Sequence, residues 1–303
     1  MTRGFREGRR SSSASAWRMP WATAGLALMA LGGVLLLLYP TISSWWSQYN
    51  QSRVVMAVES EVDGETDSSR AASLERARNY NSALVGGAIL VAGSRAPQSS
   101  GAWTPSGEYD SLLRADADGA MARLRIPVIG VDLPIYHGTS DATLQKGVGH
   151  LEGTSLPVGG VDQHSVLTAH RGLAQATLFD HLDRVRVGDT FRIEVFGEVL
   201  TYRVRDTRVV LPDDTQTLSP QPGEDLMTLV TCTPVGINSH RILVTGERVT
   251  PTPPGDVARA GSAPDVPGFP WWALLLASAV VALIASVWTS GRRASSRAER
   301  DET

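Results

Sequence analysis

The chain of 303 residues holds a single cysteine, Cys232, so no disulfide can form within it and its cores must stand on burial alone. Lysine is equally scarce: Lys146 is the only one, and arginine carries nearly all the positive charge. With the abundance of Ala and Gly, that is the bias of a GC-rich genome, and it says little about function. Missing too is any basic block in the central region. At a formal net charge of -3 the chain lacks the electrostatic footprint of a nucleic-acid binder. No A-x-A-like cleavage site follows the first apolar run, which argues against a signal peptide that is removed.

Two long apolar runs are present, one near each end. Residues 21–39 read WATAGLALMALGGVLLLLY without a charge, and about 20 apolar residues suffice for a helix to cross a hydrocarbon core. Arg3, Arg6, Arg9, Arg10 and Arg18 precede this run, so the positive-inside rule predicts a cytoplasmic N-terminus. Trp45 and Trp46 follow it as interfacial anchors. The second run, 269–290, opens with Pro270, Trp271 and Trp272 and is followed by Arg292, Arg293, Arg297 and Arg300. Both tails (1–20 and 291–303) are therefore expected inside, and residues 40–268 outside. A buried core helix is the plainer reading of each run, but it leaves the basic flanks at the matching ends unexplained. One globular domain with attachments follows, rather than two domains.

In that outer segment, helical spacing over 43–93 predicts one or two membrane-proximal helices, broken at Gly86-Gly87. The Ser/Gly/Pro-rich stretch 93–107 reads as a linker or flap, with Trp103 its one large apolar residue beside Pro105. From residue 121 short β runs alternate with turn residues: MARLRI, VDLPIY, HSVLTA, TFRIEVF, VLTYRVRDTRVVL, LMTLVT and HRILVTGE. Gly197-Glu198 reads as a hairpin turn, and Leu178-Phe179 to Val185 as the one helix. The pattern predicts an all-β domain over 109–250, an antiparallel barrel or sandwich. Residues 251–268, with five prolines, read as an extended tether.

Cys232 closes the run Thr228–Thr233, and a turn with Gly236 and Asn238 leads into a run starting at His240-Arg241. Antiparallel pairing of the two sets Cys232 near Arg241. A guanidinium beside a thiol favours the thiolate and can donate two hydrogen bonds to an oxyanion, so the pair is chemically apt for acyl transfer. Lone cysteines are often small buried hydrophobes, but the turn and polar neighbours favour a reactive one. Such chemistry also wants an acid/base, and His170 ends a strand where a loop begins. His137, His150, His164, His181 and His240 read as structural or solvated.

The blocks Leu133–Thr139, Leu144–Gly159, Ser165–Gly172, Thr228–Pro234 and Gly236–Arg241 resemble the class C, pilus-assembling sortases of Gram-positive bacteria, in order over roughly 109–248. The resemblance implies an eight-stranded sortase β-barrel flanked by transmembrane helices, with no cofactor and no metal. It implies Cys232 as nucleophile on the Thr-Gly carbonyl of an LPxTG-like sorting signal, His170 as acid/base and Arg241 at the oxyanion. Thr231 is implied at the substrate groove, with Ala169 where the family commonly has Gly and Val235 where it commonly has Tyr. Residues 93–110 lack the Asp-Pro-aromatic motif of the family's inhibitory lid. Implied partners are LPxTG-bearing pilins, a pilin lysine amine, and a housekeeping sortase or lipid-linked wall precursor. A peptidoglycan L,D-transpeptidase would hold His and Cys close in sequence, and a papain-like protease would place Cys before His. A non-catalytic surface scaffold would keep Cys232 inert to alkylation.

Overall fold

The computed structural model describes residues 17, 19–84, 109–116, 119–214 and 216–301. The expected flap with Trp103 and Pro105 lies outside them. The chain divides into two units, one running from Ser43 to Gly268 and the other made of the residues on either side.

In the terminal unit two helices carry the apolar runs. Helix α1 begins at Trp21 and extends as far as Gly64, and a C-terminal helix starts at Trp271. Both are long and apolar enough to cross a membrane, and their apolar windows are almost entirely exposed. Helix α1 continues past residue 39, because the polar stretch after the apolar run holds no helix breaker beyond Pro40.

In the Ser43–Gly268 unit, α1 brings Val58 and Val62 into the core, and α2 (Asp67–Ala83) adds Leu74, Ala77 and Tyr80. The Thr66 side chain caps α2 by accepting from Ser69 N, and Asp67 suits the positive end of its dipole. Asn81 fastens α2 down, donating to Leu156 O (3.1 Å) and accepting from Leu156 N (2.7 Å).

Eight strands close into a barrel: β1 (Ala120–Ile126), β2 (Val131–His137), β3 (Val148–His150), β4 (Gln163–Thr168), β5 (Thr190–Val195), β6 (Glu198–Val210), β7 (Asp225–Thr233) and β8 (His240–Arg248). The order around it is β1-β2-β3-β4-β7-β8-β6-β5, with β5 returning to β1. Leu124, Ile135, Leu167, Phe191, Ile193, Met227, Leu229 and Val244 belong to its core.

Several local expectations change. The β2–β3 and β4–β7 pairs are parallel, where an antiparallel sheet was expected. A parallel neighbour needs a crossover, and α3 (Asp141–Lys146), capped by Ser140, supplies the one between β2 and β3. Neither α3 nor the three-residue β3 is long enough to show a period. The hairpin turn is Phe196-Gly197, one residue earlier than expected, with φ of 44° and 83°. Two positive φ values match the twist of the flanking strands. The helix expected over 178–185 shrinks to a 3-10 turn at Leu182–Arg184, because Leu178 sits at φ 29°, outside the helical region. The tether is not free chain: it contains one helical turn, α4 (Pro254–Val257), and Thr252 Oγ1 donates to Val199 O (2.9 Å). The C-terminal helix, α5 (Trp271–Asp301), runs beyond residue 290.

A buried Arg123 on β1 gathers these pieces. It pairs with Glu59 of α1, with Asp132 of β2 (2.6 Å) and with Glu194 of β5 (3.5 Å), and donates to Ser262 O (2.8 Å). Farther back along α1, Trp45 Nε1 donates to Gly268 O (2.8 Å) and Ser52 Oγ to Asp265 O (3.2 Å), joining the two ends of this unit.

Candidate active site

The β7–β8 ladder sets Cys232 directly opposite Arg241. The turn between them is built by Asn238 at φ 57° and by Ile237 N and Asn238 N, which both donate to Pro234 O. Arg241 is 2% exposed, and its Nη1 donates to Asn238 O (2.9 Å) and His240 O (3.1 Å), so the turn aims the guanidinium. His240 pairs with Thr233 and, by strand alternation, points to the face opposite Arg241.

His170 arrives by the parallel ladder. Thr168 of β4 pairs with Val230 of β7, and two residues further on the chains reach His170 and Cys232. Strands running the same way bring both residues to one barrel end; antiparallel strands would have sent them to opposite ends. His170 is half-buried, and its carbonyl accepts from Phe179 N (3.1 Å).

Burial pushes the Cys232 thiol above its ordinary 9.0, opposed by the positive charge of Arg241. Burial also pulls His170 below 6.5, opposed by Asp141 at the start of α3. Desolvation therefore favours the neutral form of each group.

The other expected site residues divide. Ala169 is buried between bonds, its N donating to Val230 O (3.2 Å) and its O accepting from Thr231 Oγ1 (2.8 Å). Thr231 is fully buried and its hydroxyl is engaged in that bond, which ties β7 to the residue before His170. Val235 is half exposed and packs so tightly on Gly172 that a Cβ there would come within 2.2 Å of Val235 Cγ1. Among the described residues no cluster of His, Cys, Asp or Glu could hold a metal ion. A thiol, an imidazole and a guanidinium at one barrel end are the groups that acyl transfer through a thioester requires.

The sortase domain model matches residues 124–249. Sortase D of Bacillus subtilis (strain 168) is 31% identical over 152 residues, which cover 48% of this chain and 73% of that protein. The chain belongs to the sortase family. Solved sortases are similar over the same region. Sortase C-1 from Actinomyces oris is 48% identical, with 60% of this chain and 98% of that one covered at a TM-score of 0.53. Sortase C of Streptococcus pneumoniae is 38% identical, with coverage of 67% and 99% and a TM-score of 0.59. The class C resemblance and the closed eight-stranded barrel thus stand, and this sortase is a cysteine transpeptidase with two apolar helices suited to anchoring it in a membrane.

The sequence pointed to His170, Cys232 and Arg241 but not to Arg171 and Asp180, which hold the loop that follows His170. Arg171 Nη2 reaches Asp183 (2.8 Å), and Gly172 N donates to Asp180 Oδ1 (2.6 Å). An Arg beside a loop glycine carries no periodic signal.

Proposed function

We propose that this sortase joins pilins covalently at the outer face of the membrane. Cys232 Sγ attacks the Thr carbonyl of an LPxTG-like signal, and Arg241 donates to the oxyanion that forms. His170, as imidazolium, protonates the departing glycine amine, leaving a thioacyl-enzyme. A lysine amine of the next pilin then attacks the thioester, His170 takes its proton, and Cys232 leaves as the thiolate. A housekeeping sortase or a lipid-linked wall precursor would receive the finished polymer.

One observation carries this reading: parallel β4–β7 and antiparallel β7–β8 registers converge on His170, Cys232 and Arg241. The choice of pilins is supported by the likeness to the pneumococcal sortase C, whose crystal structure is described as bearing on pilin substrate specificity. Burial raises the thiol and lowers the imidazole, so desolvation favours the neutral pair, and the reaction draws on the minor thiolate and imidazolium form. The arginine-rich flanks of both apolar runs support two passes with both termini cytoplasmic and the barrel outside.

Incubating the full chain in detergent with an LPxTG-type peptide is expected to give a thioacyl adduct on Cys232, detected by mass spectrometry. An adduct elsewhere, or none, would overturn the reading.

A further inference from the structure

The backbone ladder between β4 and β7 runs from Gln163 opposite Asp225 to Thr168 opposite Val230, a constant offset of 62 residues. Two side-chain hydrogen bonds continue it with the same offset beyond the last backbone pair. Thr231 Oγ1 donates to Ala169 O (2.8 Å), and Arg171 Nη1 donates to Thr233 Oγ1 (3.2 Å), each spanning 62 residues. These bonds join the two neighbours of Cys232 to the two neighbours of His170. The residue they bracket at the same offset is the pair His170 and Cys232 itself.

We infer that Arg171 and Thr233 are positioning residues for the transfer reaction, pinning the loop that carries His170 to the strand end that carries Cys232. The inference rests on the assignment of those two residues proposed above.

Arg171 is well placed for this. Its Nε donates to Asp180 O (3.1 Å) and its Nη2 pairs with Asp183 (2.8 Å), so both ends of the planar fork are held while Nη1 reaches Thr233. Asp183 is 47% exposed, and a pair with so wet a partner adds little stability. The loop also closes without Arg171, through Phe179 N to His170 O and Gly172 N to Asp180 Oδ1. What the loop lacks without Arg171, among these bonds, is a tie to β7 on the far side of His170. A thiolate and an imidazolium that must meet one carbonyl and one leaving amine are sensitive to such a tie, since about 1 Å of misplacement can cost on the order of 10²-fold in rate.

The test uses the full chain in detergent and an LPxTG-type peptide, following thioacyl formation in a single turnover and kcat and KM at steady state. Arg171→Ala is expected to lower kcat by about 10–100-fold with KM within about threefold, as for an interaction that positions reacting groups and not the substrate. Thr233→Val, which removes one of the three contacts, should lower kcat by about 3–10-fold with the same split. Arg171→Lys, which keeps the charge but not the fork, should fall between Arg171→Ala and wild type. The double variant should be no slower than Arg171→Ala, because both remove one bond. Rates within about twofold of wild type, losses that appear in KM, or additive effects in the double variant overturn the inference. Thermal melts accompany each variant; should Arg171→Ala fail to fold, Thr233→Val decides, and a wild-type rate there overturns it. Cys232→Ala separates the two proposals. If that variant still forms product, the assignment of the site fails; if it is dead while Arg171→Ala and Thr233→Val are normal, only the positioning role fails.

Discussion

His150 and His170 both sit below the ordinary histidine range for the same reason, burial, yet they differ in what surrounds them. His150 is wholly enclosed: Nε2 lies 2.9 Å from Ser155 O, which can only accept, so Nδ1 accepts from Tyr109 Oη (2.8 Å) in the neutral ring. Its value falls from 6.5 to about 4. Between those limits the unfolded chain binds the extra proton, so stability is complete above 6.5 and declines as pH falls toward 4. The expected loss is about 3 kcal/mol, read from urea unfolding across that range, and His150→Gln should flatten the slope by roughly one proton. His170 is only half-buried, and under the proposed mechanism its titration enters the activity profile. We expect kcat/KM to be bell-shaped, with an acid limb below 6.5 from His170 and an alkaline limb above 9.0 from Cys232. A profile that shows neither limb would exclude this pair. Arg241→Lys keeps the charge but loses the second donor, and should cost on the order of 10²-fold in kcat with an unchanged melting temperature. Cys232 and Arg241 were legible in sequence because a strand, a short turn and a strand fix the pairing locally. The clamp through Arg171 and Thr233 was not, because its partners lie 62 residues apart and meet only through the parallel ladder.

Elements were legible where they repeat a period and lost where they are too short to do so. Seven of the strands announced themselves by alternation; β3, three residues long, could not. Parallel pairing also escaped the sequence, since alternation tells which face a residue takes and not which way the neighbour runs. The ionic knot at Arg123 is held by a helix, three strands and the arm after β8. Arg123 is 2% exposed, so truncation leaves Glu59, Asp132 and Glu194 crowded without their cation. Arg123→Ala is therefore expected to destabilise the barrel unit by about 3–5 kcal/mol, and an isosteric apolar replacement such as Arg123→Met combined with Glu59→Gln by less. Denaturant titration of each variant checks this, and near-equal losses would mean that packing, not charge, dominates the knot.

For the molecule as a whole, the near-absence of lysine becomes a tool. Lys146 is exposed at the end of α3 in the barrel unit, and the other amine of comparable reactivity is the N-terminus. On intact cells an impermeant amine reagent should label Lys146 and spare the N-terminus until the membrane is opened. The reverse pattern would invert the proposed topology. The barrel unit also receives its two connections at one place, where Trp45 meets Gly268 and Ser52 meets Asp265. Within this unit, tension between its first and last segments is carried by that junction and by the Arg123 knot, which ties Glu59 to Ser262, before it reaches the strands that carry Cys232 and lead to His170.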